Sequence, residues 1–523
     1  MSKMFAEGST KPIRLGIGKF GPAWISAVML LLAVFAFGVF CYVRQLVYGD
    51  TVTGMRTIGS GGAVWGLYIV FVVVFIGVSF AGITISAVIR LFGVSYLKPI
   101  ARMAELVTII SISLGALCIL ADLGRPLTGL LNLPRYARVM SPFFGTFTLV
   151  ISGYLFASVV YFYLSGRSDA AYMASQATFK PLRLFYNLWS FGFKGTPDDY
   201  NRHANSSFWL SLFILPLLIT AHSTLGFIFG IQASRPGWYS ALQAPGFVVM
   251  AGISGTGVIL IIAAIIRRSL SLEEVITEKC FKWLGLMLML LSIVYLYFMI
   301  VEELTAHYAA PEMEMEVAHQ ITLGAYAPYF WTTVGGLLIG FALIFIQYIR
   351  GTTSILMHVL AGVVVNIAAV CKRFIIVVPS QTHGTLLPYM HGSYFPTWVE
   401  FGVVAGLTAM GSLIYMVFVK VFPIVPLHSV GKHEEPLLQV KLKESKVSHT
   451  RRLALFTLTL VLGLALTVVG FLLSARFGTN PKMDPLLPFS PVIFITGVMT
   501  CFISAIVYEI VPEINPALES AKE

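Results

Sequence analysis

The chain has 523 residues, of which 57% are hydrophobic and only 11% are charged. Charged residues make up about a quarter of an ordinary soluble domain, so this composition excludes that class. The formal net charge is +11, yet no basic domain stands apart from the rest of the sequence, and we therefore expect no nucleic-acid partner.

Hydrophobic stretches of about 20 residues recur along the chain, and each is long enough to cross a bilayer. None of them alternates polar and apolar residues as a membrane barrel strand does, so every stretch is predicted to be a helix. Twelve spans are predicted, at residues 23–42, 62–89, 100–121, 143–164, 208–231, 247–266, 284–301, 329–349, 354–371, 399–419, 453–473 and 491–511. The predicted fold class is therefore all-α, a polytopic membrane protein of about twelve transmembrane helices.

Positive charge is distributed unevenly between the connections. The two tails and the even-numbered connections hold 25 of the 35 Lys and Arg residues. Cytoplasmic loops carry this excess in membrane proteins, so both termini are predicted to lie in the cytoplasm, with the chain in the inner (cytoplasmic) membrane. The basic side then faces anionic membrane lipids. The odd-numbered connections are predicted to face outwards, among them residues 44–61, 122–140, 233–244, 302–328 and 372–397.

Three connections have a composition of their own. Residues 165–207 are long enough to hold a short interfacial helix around Phe185, Tyr186 and Trp189. Residues 422–452 contain three prolines and then a Lys-rich stretch, which is typical of a linker. Residues 302–328 have no Lys or Arg but carry five glutamates, so this connection either meets a basic partner surface or is a solvated loop that translocates easily.

The cysteines and histidines restrict the cofactors. Cysteine occurs singly, at Cys41, Cys118, Cys280, Cys371 and Cys501, without the pairs or four-thiolate sets of iron–sulfur or zinc sites. A b-type haem needs two histidines that face each other. Only His222 and His358 lie well within spans, and they are expected in different bundles. We therefore expect no metal, haem or iron–sulfur cluster in this chain.

His222 is the clearest ionisable residue at membrane depth, where such groups are costly and often functional. A neutral imidazole accepts a proton at one nitrogen and donates at the other, which suits a quinol hydroxyl. The alternative is a histidine that bonds a neighbouring helix for packing alone, and both interpretations stay open. The same stretch, AHSTLGFIFGIQ, ends in Gln232.

The third span ends in DLGRP, which places Asp122 and Arg125 three residues apart at a helix end. Taken alone, this motif is explained at least as well by an ion pair at the membrane interface next to a helix stop as by a functional site. Glu105 lies four to five turns inward in the same span, so these residues bracket a possible proton route. Trp65 and Tyr68 open the second span, where an aromatic belt is the commoner explanation and the lining of a site is the alternative.

Four stretches together resemble the NrfD/PsrC family, the quinone-interacting membrane subunits of polysulfide reductase and related respiratory complexes. They are WGLYIVFVVVFIGVSFAG from Trp65, DLGRP from Asp122 followed by SPFFG from Ser141, HSTLGFIFGIQASRPGWYSALQAPGF from His222, and VVNIAAVCKRFIIVVP through LPYMHGSYFPTWVEFGVVAG. The combination is specific although each piece alone is not. The ten-helix branch, which includes HybB-like, alternative complex III and DsrP-like subunits, is more similar than the shorter one, with the last two helices as an extension.

The resemblance implies two four-helix bundles plus flanking helices, with a quinone pocket in the first bundle near the outer surface. It implies menaquinone or ubiquinone as substrate and an extracytoplasmic, ferredoxin-like iron–sulfur subunit docked over the pocket. Cytochrome or molybdopterin-type subunits are implied as further partners. By matching position, the implied catalytic or proton-handling residues are Asp122, Arg125 and His222, and the implied lining residues are Trp65, Tyr68 and Gln232.

Two positions depart from relatives of this family. Some relatives have an acidic residue a turn and a half after the span-five histidine, where this chain has Ile228. Many have Glu-Arg where this chain has Lys372 and Arg373. Proton paths of those branches therefore do not transfer directly, and the first departure favours the DsrP-like branch.

The sequence is interpreted as a quinone- or quinol-interacting subunit of a respiratory oxidoreductase complex, with possible proton translocation. The predicted divisions are 1–60 for the tail and first helix, 61–270 for the first bundle with the quinone site, 271–425 for the second bundle, 426–452 for a basic cytoplasmic linker and 453–523 for a helical hairpin. One alternative is a secondary transporter, but the long linker follows span ten rather than span six, which argues against two equal halves. The other is a structural membrane anchor without a quinone site.

Overall fold

The computed structural model describes residues 16–55, 63–136, 147–308, 310–383, 392–427, 446–475 and 489–510. Within these residues, twelve helices are long and apolar enough to cross a membrane, which confirms the all-α class and the twelve predicted spans. They are α1 (Pro22–Tyr48), α2 (Leu67–Phe92), α3 (Lys98–Asp122), α5 (Thr148–Gln176), α7 (Pro197–Gly230), α8 (Gln243–Ser269), α9 (Glu278–Tyr308), α11 (Ala327–Arg350), α12 (Ile355–Val377), α14 (Trp398–Val421), α15 (Lys446–Ala475) and α16 (Ser490–Ile510). Shorter helices are α4 (Pro126–Tyr136), α6 (Lys180–Trp189), α10 (Glu312–Thr322) and α13 (Pro379–Thr382).

Several helices extend beyond the predicted spans because polar residues continue them. α7 begins eleven residues earlier than predicted, at a capping box in which Thr196 accepts from the Asp199 amide and Asp199 accepts from the Thr196 amide. The predicted stop after α3 is present, with Gly124 at a φ of 65°, but α4 starts again two residues later. The interfacial segment around Tyr186 forms α6, as predicted.

Two connections predicted as loops are helical. Residues 302–328 were expected to be a loop, but α9 runs to Tyr308 and α10 follows at Glu312. Lys372 and Arg373 were placed in an outer connection, whereas both are buried side chains in the last turns of α12. The prediction ended the span at the first charged residue, and it was wrong here because burial inside the protein allows a helix to carry charge at that depth.

The helices form two four-membered groups, which confirms the predicted pair of four-helix bundles with flanking helices. In the first ring, α2 packs on α3 and α7, and α5 closes the ring against α3 and α7. In the second ring, α8 packs on α9 and α12, and α11 closes the ring against the same two helices. The flanking pairs are α1 with α14 and α15 with α16. The predicted domain bounds at residues 60, 270, 425 and 452 remain predictions.

The seam between the rings consists of α8 against α2 and α7, together with contacts from α12 to α2. Glycines permit the approach of α8 to the first ring: a Cβ atom added to Gly255 would lie 2.8 Å from the carbonyl oxygen of Val78 on α2, and one added to Gly226 on α7 would lie 2.8 Å from the carbonyl oxygen of Gln243. Such small residues let helix backbones pack closely where the hydrophobic effect does not drive association. The two rings are therefore in backbone-level contact within the membrane.

The C-terminal hairpin packs on the first ring through α16, which contacts α5 and α7. A buried ion pair joins them, with Arg167 Nη1 2.7 Å from Glu509 Oε1. Ser206 donates to the other oxygen of Glu509 at 2.5 Å, and His203 Nδ1 lies 3.2 Å from Oε1. The hairpin is thus attached by charged contacts as well as by apolar packing.

Candidate functional site

One end of the protein gathers the end of α1, the start of α2, the end of α3 and the start of α14, and we call it the Asp122 face. Asp122 is buried, with 5% of its surface exposed, at the last residue of α3. Arg125 lies in the exposed turn that follows, and the structure records no ion pair between these two described residues. The carboxylate and the guanidinium therefore occupy different environments, although they are close in sequence.

Tyr68 lies beside Asp122 through a buried hydrogen-bond network centred on Gln45. The Tyr68 hydroxyl donates to Gln45 Oε1 at 2.7 Å. Gln45 Nε2 donates to the Ala121 carbonyl at 3.2 Å and to Asp50 Oδ1 at 3.0 Å. The network links α1, α2 and the last turn of α3, so Tyr68 is connected to the carbonyl of Ala121, the residue before Asp122.

A second buried carboxylate adjoins this network. Glu400, fully buried at the start of α14, accepts from the Tyr394 hydroxyl at 2.5 Å and from the amides of Gly54 and Thr397 at 2.8 and 2.9 Å. The Tyr394 hydroxyl in turn accepts from the Leu67 amide at 2.6 Å, at the start of α2. Burial and the negative charge of Glu400 raise the pKa of the Tyr394 phenol, so it remains a neutral hydrogen-bond donor.

Trp65 belongs to a cluster of four aromatic rings, the aromatic cluster, which also contains Trp238, Phe229 and Phe247. The Trp65 and Trp238 rings are stacked with centroids 5.6 Å apart. Phe229 meets both edge-on, at 6.0 and 5.1 Å, and contacts Phe247 at 5.7 Å. The cluster joins α7 and α8 to the start of α2, at the same end of the protein as the Asp122 face.

Hydrogen bonds of Gln381 and Trp238 connect the aromatic cluster to the end of α12. Gln381 accepts from the Val64 and Trp65 amides at 3.0 and 2.9 Å and donates to the Trp65 carbonyl at 2.9 Å. The Trp238 indole donates to the Ile376 carbonyl at 2.7 Å. Gln232 is half-buried in the turn after α7 that leads to Trp238, where its amide donates to the Phe229 carbonyl. Of the three predicted lining residues, Trp65 therefore belongs to the cluster, Gln232 lies in the turn that leads to Trp238, and Tyr68 belongs to the Gln45 network.

His222 lies deeper, between α7 and α2, and is 1% exposed. Its Nδ1 is 2.8 Å from the Leu218 carbonyl and its Nε2 is 2.8 Å from the Ile76 carbonyl. A neutral imidazole has one N–H and can satisfy only one carbonyl, whereas an imidazolium satisfies both. Ile76 is eight residues beyond Tyr68, so His222 is roughly 12 Å further along α2.

Glu105 lies near the opposite end of the first ring, roughly 25 Å along α3 from Asp122. Ser86 donates to one of its oxygens and Ser165 to the other, the latter at 2.6 Å. Arg90 pairs with the same carboxylate at 3.4 Å. Glu105 is thus a buried, fully bonded carboxylate, distant from the Asp122 face.

A column of polar side chains leads from the level of Glu105 towards His222 inside the first ring. Thr108 and Tyr154 both donate to the Ser79 carbonyl, at 2.8 and 3.1 Å. The Tyr154 ring lies edge-on to the His222 ring at 6.1 Å. On α2, residues 69–75 between Tyr68 and this column are all apolar. The polar column therefore ends at His222, below the Asp122 face.

Two neighbouring cations in α12 differ in their partners. Lys372 Nζ pairs with Glu302 on α9 at 2.9 Å. Arg373 lies over the Phe247 ring at 4.3 Å and is 2% exposed. His222 and His358, the two histidines considered for haem, lie in different rings, on α7 and α12. Across the described residues, no group of three or more His, Cys, Asp or Glu side chains is placed to hold a metal ion.

The sequence interpretation did not assign five of these residues to the site, which are Gln45, Gln381, Tyr394, Glu400 and Arg373. Glu400 had a signal in the sequence, because Thr397 three residues earlier completes a capping-box pattern. Arg373 would have been found by extending span nine through its charged residues. Gln45 and Tyr394 have no such signal, since their partners are distant in the sequence.

Comparison with known proteins decides the family. The family model described as polysulphide reductase, NrfD, matches residues 56–384, which is more than half of the chain and includes both rings. The chain belongs to the NrfD family. In this NrfD protein the matched residues include Trp65, Asp122 and His222, while α1, α14, α15 and α16 lie outside the match.

Three relatives of this NrfD protein cover most of its length. It is 28% identical over 435 residues to a candidate dimethyl sulfoxide reductase membrane subunit of Halobacterium salinarum, and the match spans 79% of this chain and 94% of the relative. It is 26% identical to a selenate reductase subunit of Mesobacillus selenatarsenatis, with 69% and 86% of the two chains matched. It is 25% identical to the Hdr-like menaquinol oxidoreductase integral membrane subunit of Archaeoglobus fulgidus, with 78% and 95% matched. All three relatives are subunits of reductases or of an oxidoreductase.

Proposed function

We propose that this protein is the quinone- or quinol-interacting membrane subunit of a respiratory oxidoreductase complex. The observation that carries the proposal is the family match, because the matched residues hold the aromatic cluster together with Asp122 and His222. The name of the Archaeoglobus relative supports menaquinone as the substrate, with ubiquinone as the alternative.

The aromatic cluster suits the ring of a quinone. A planar ring packs favourably against aromatic faces and edges at centroid separations of about 4.5–7 Å. Trp65 and Trp238 offer such faces beside the half-buried Gln232. The lipid-soluble tail of the quinone then remains among apolar helix surfaces.

Quinol oxidation breaks two O–H bonds and releases two electrons and two protons, and quinone reduction is the reverse. In the oxidative direction, Asp122 takes a proton at its carboxylate and passes it to the Asp122 face. His222 exchanges a proton at the end of the polar column, since its two carbonyl partners fit the protonated ring. Arg125 is exposed near Asp122, and its positive charge attracts negatively charged groups to the edge of the site. In the reductive direction the same groups supply the protons.

Glu105 and the polar column form the proposed proton path to the other side of the membrane. Serine, threonine and tyrosine hydroxyls can accept and donate hydrogen bonds in turn, which a proton relay needs. Thr108 lies about one turn from Glu105 on α3, Tyr154 lies edge-on to His222, and both donate to the Ser79 carbonyl, so these residues mark the proposed path between Glu105 and His222. Proton translocation would use this column in combination with electron transfer.

The electrons pass to or from a ferredoxin-like iron–sulfur subunit docked at the Asp122 face. The distribution of Lys and Arg supports an outward orientation for this face, with both termini in the cytoplasm. Further subunits of the cytochrome or molybdopterin type complete the chain of electron carriers. The membrane is the cell's inner membrane.

Substitution of His222 tests the proposal. His222→Ala is expected to remove most quinol-dependent electron transfer in the purified complex while the subunits still copurify. His358→Ala is the matched control, because it removes another buried histidine that bonds a carbonyl of its own helix, Ser354. That variant is expected to keep wild-type turnover.

Three results would go against the proposal. A wild-type complex without quinol-dependent turnover would leave the structural-anchor interpretation. Equal losses in the His222 and His358 variants would indicate packing defects. Unchanged turnover in His222→Ala would remove this residue from the site.

A further inference from the structure

Arg373 is a buried cation without a counter-charge among the described residues. It is 2% exposed, yet its Nη1 atom has no hydrogen-bond partner and no ion pair is recorded for it in this part of the chain. Its Nη2 atom makes one long contact, 3.5 Å, to the Phe247 carbonyl. Lys372, the adjacent residue, is satisfied by Glu302 at 2.9 Å. The two cations of α12 therefore differ in their bonding: Lys372 has a charged partner, whereas Nη1 of Arg373 has no hydrogen-bond partner among the described residues.

An unpaired guanidinium is costly inside a membrane protein. Water is absent from the hydrocarbon region, and a buried charge normally has a partner or marks a site. The Phe247 ring compensates in part, because the guanidinium lies 4.3 Å from its centroid. A ring face accepts no directed hydrogen bond of normal strength, so it does not replace an oxygen acceptor.

The position of Arg373 indicates which ligand would supply that acceptor. Phe247 is a member of the aromatic cluster, so Arg373 lies directly against the cluster. Arg373 is on α12, which contacts α2 of the first ring, and Phe247 is on α8, which contacts both α2 and α7, so the guanidinium lies near the seam between the rings. A ligand ring held by the aromatic cluster would therefore have a charged donor from α12 at its edge.

We infer that Arg373 donates a hydrogen bond to a ring oxygen of the quinone, so that the site is shared between the two rings of helices. The inference rests on the proposed function and adds a binding residue from the second ring. During electron transfer, negative charge builds up on the quinone oxygens, and a preorganised guanidinium stabilises it. A phosphate or another polyanion fits less well, because the neighbouring Lys372 is already paired and the remaining surroundings are aromatic.

Kinetics of Arg373 variants test the inference in the intact complex, with decylubiquinol and a short-chain menaquinol as probes. Arg373→Gln is expected to raise KM for the quinol by roughly tenfold or more and to lower kcat, since a hydrogen bond from a charged donor is lost. Arg373→Lys keeps the charge without the planar fork and is expected to lie between Arg373→Gln and the wild type. Lys372→Gln is the matched control, and its KM should stay within about twofold of the wild-type value because its partner is Glu302.

Direct binding separates a lost ligand contact from a folding defect. Quenching of tryptophan fluorescence by the quinone analogue reports occupancy near Trp65 and Trp238, and it should weaken in Arg373→Gln but not in Lys372→Gln. Wild-type KM and binding in Arg373→Gln would overturn the role of Arg373 while leaving the proposed function intact. A wild-type complex that neither binds nor oxidises quinol would overturn the proposed function itself.

Discussion

At the scale of single residues, the buried polar side chains at the Asp122 face depend on one another. Gln45 alone connects the Tyr68 hydroxyl, the Ala121 carbonyl and Asp50. Removing one member of such a network leaves the others buried without partners, which costs more than the bond itself contributes. Substitutions here therefore affect stability and function together, and controls must separate the two.

Asp122→Asn is expected to slow quinol turnover and to change its pH profile, because the amide keeps the size of the side chain but cannot take up a proton. Arg125→Ala is expected to act more weakly, since Arg125 is exposed and records no ion pair with Asp122 in the described structure. The measurement is kcat/KM for quinol against pH in the assembled complex. Wild-type profiles for both variants would mean that DLGRP only ends a helix.

Tyr68→Phe is expected to destabilise the protein by about 1 kcal/mol, because Gln45 Oε1 loses its buried donor. Thermal unfolding in detergent measures this change. Tyr297→Phe, at an exposed position of α9, is a suitable control and should leave stability unchanged. Equal stability of the Tyr68 and Tyr297 variants would show that the Gln45 network contributes little.

At this scale the sequence located part of the site. Asp122 and His222 were predicted from their depth and residue type, and the structure places both as buried residues of the first ring. Gln45 and Glu400 could not be predicted as neighbours of Tyr68 and Leu67, because their contacts join helices that only the fold brings together. Whether the predicted residues act in catalysis remains a prediction.

At the scale of helices, span positions followed from hydrophobic length, but ends and short helices did not. α12 continues past Lys372 and Arg373 because both side chains are buried inside the protein. Lys372 pairs there with Glu302, and Arg373 packs on the Phe247 ring. α10 was taken for a loop, since hydropathy does not distinguish an acidic surface helix from an irregular connection. Local helix signals such as the Thr196–Asp199 capping box refine boundaries where hydropathy cannot.

The C-terminal hairpin offers a test by paired substitutions. Arg167→Met and Glu509→Leu are each expected to destabilise its attachment by about 3–5 kcal/mol, since each leaves a buried charge unpaired. The double variant is expected to recover much of that loss, because neither charge remains. Thermal stability in detergent of the four proteins gives the coupling energy. Additive losses would show that the ion pair does not hold the hairpin.

α10 offers a test of partner docking. Its glutamates Glu312, Glu314 and Glu316, on the side predicted to face outwards, are proposed to meet a basic partner surface. Replacing all three with Gln should weaken copurification of the partner and flatten its dependence on salt. Replacing Glu273 and Glu274, in the connection before α9 at the opposite end, is the control. Unchanged copurification across a salt series would favour the solvated-surface interpretation.

Glu314 adds an expected pH dependence to α10. Burial raises the pKa of Glu314, although a hydrogen bond from the Gly237 amide opposes the change. The folded state therefore holds this proton more tightly than the unfolded state, so the free energy of unfolding should fall as pH rises above the usual glutamate range. Glu314→Gln should reduce that slope in a pH series of thermal unfolding. An identical slope would show that other groups control it.

At the scale of the whole molecule, the twelve spans were predictable because membrane length and backbone bonding leave few alternatives, whereas the two rings were expected from the family resemblance. The assignment of α8 to the second ring was not, since it depends on close glycine contacts such as Gly257 with Gly362. Orientation in the membrane follows from charge and remains a prediction. Labelling of an engineered cysteine near Glu314 by an impermeant reagent should occur only from outside the cell. Labelling from the cytoplasmic side alone would reverse the topology and the proposed partner position.

Gln381 connects the two rings of helices through the hydrogen bonds of its side chain. Its side chain accepts a hydrogen bond from the Trp65 amide and donates one to the Trp65 carbonyl. It also donates to the Val377 carbonyl of α12 at 2.7 Å. The two rings thus cannot separate at this end without breaking three partly buried hydrogen bonds at once, those of Gln381 to Val64 and Trp65. If the proposed quinone binds at the aromatic cluster, these bonds disfavour its entry by separation of the rings at this end, and entry from the bilayer between helices is the expected route.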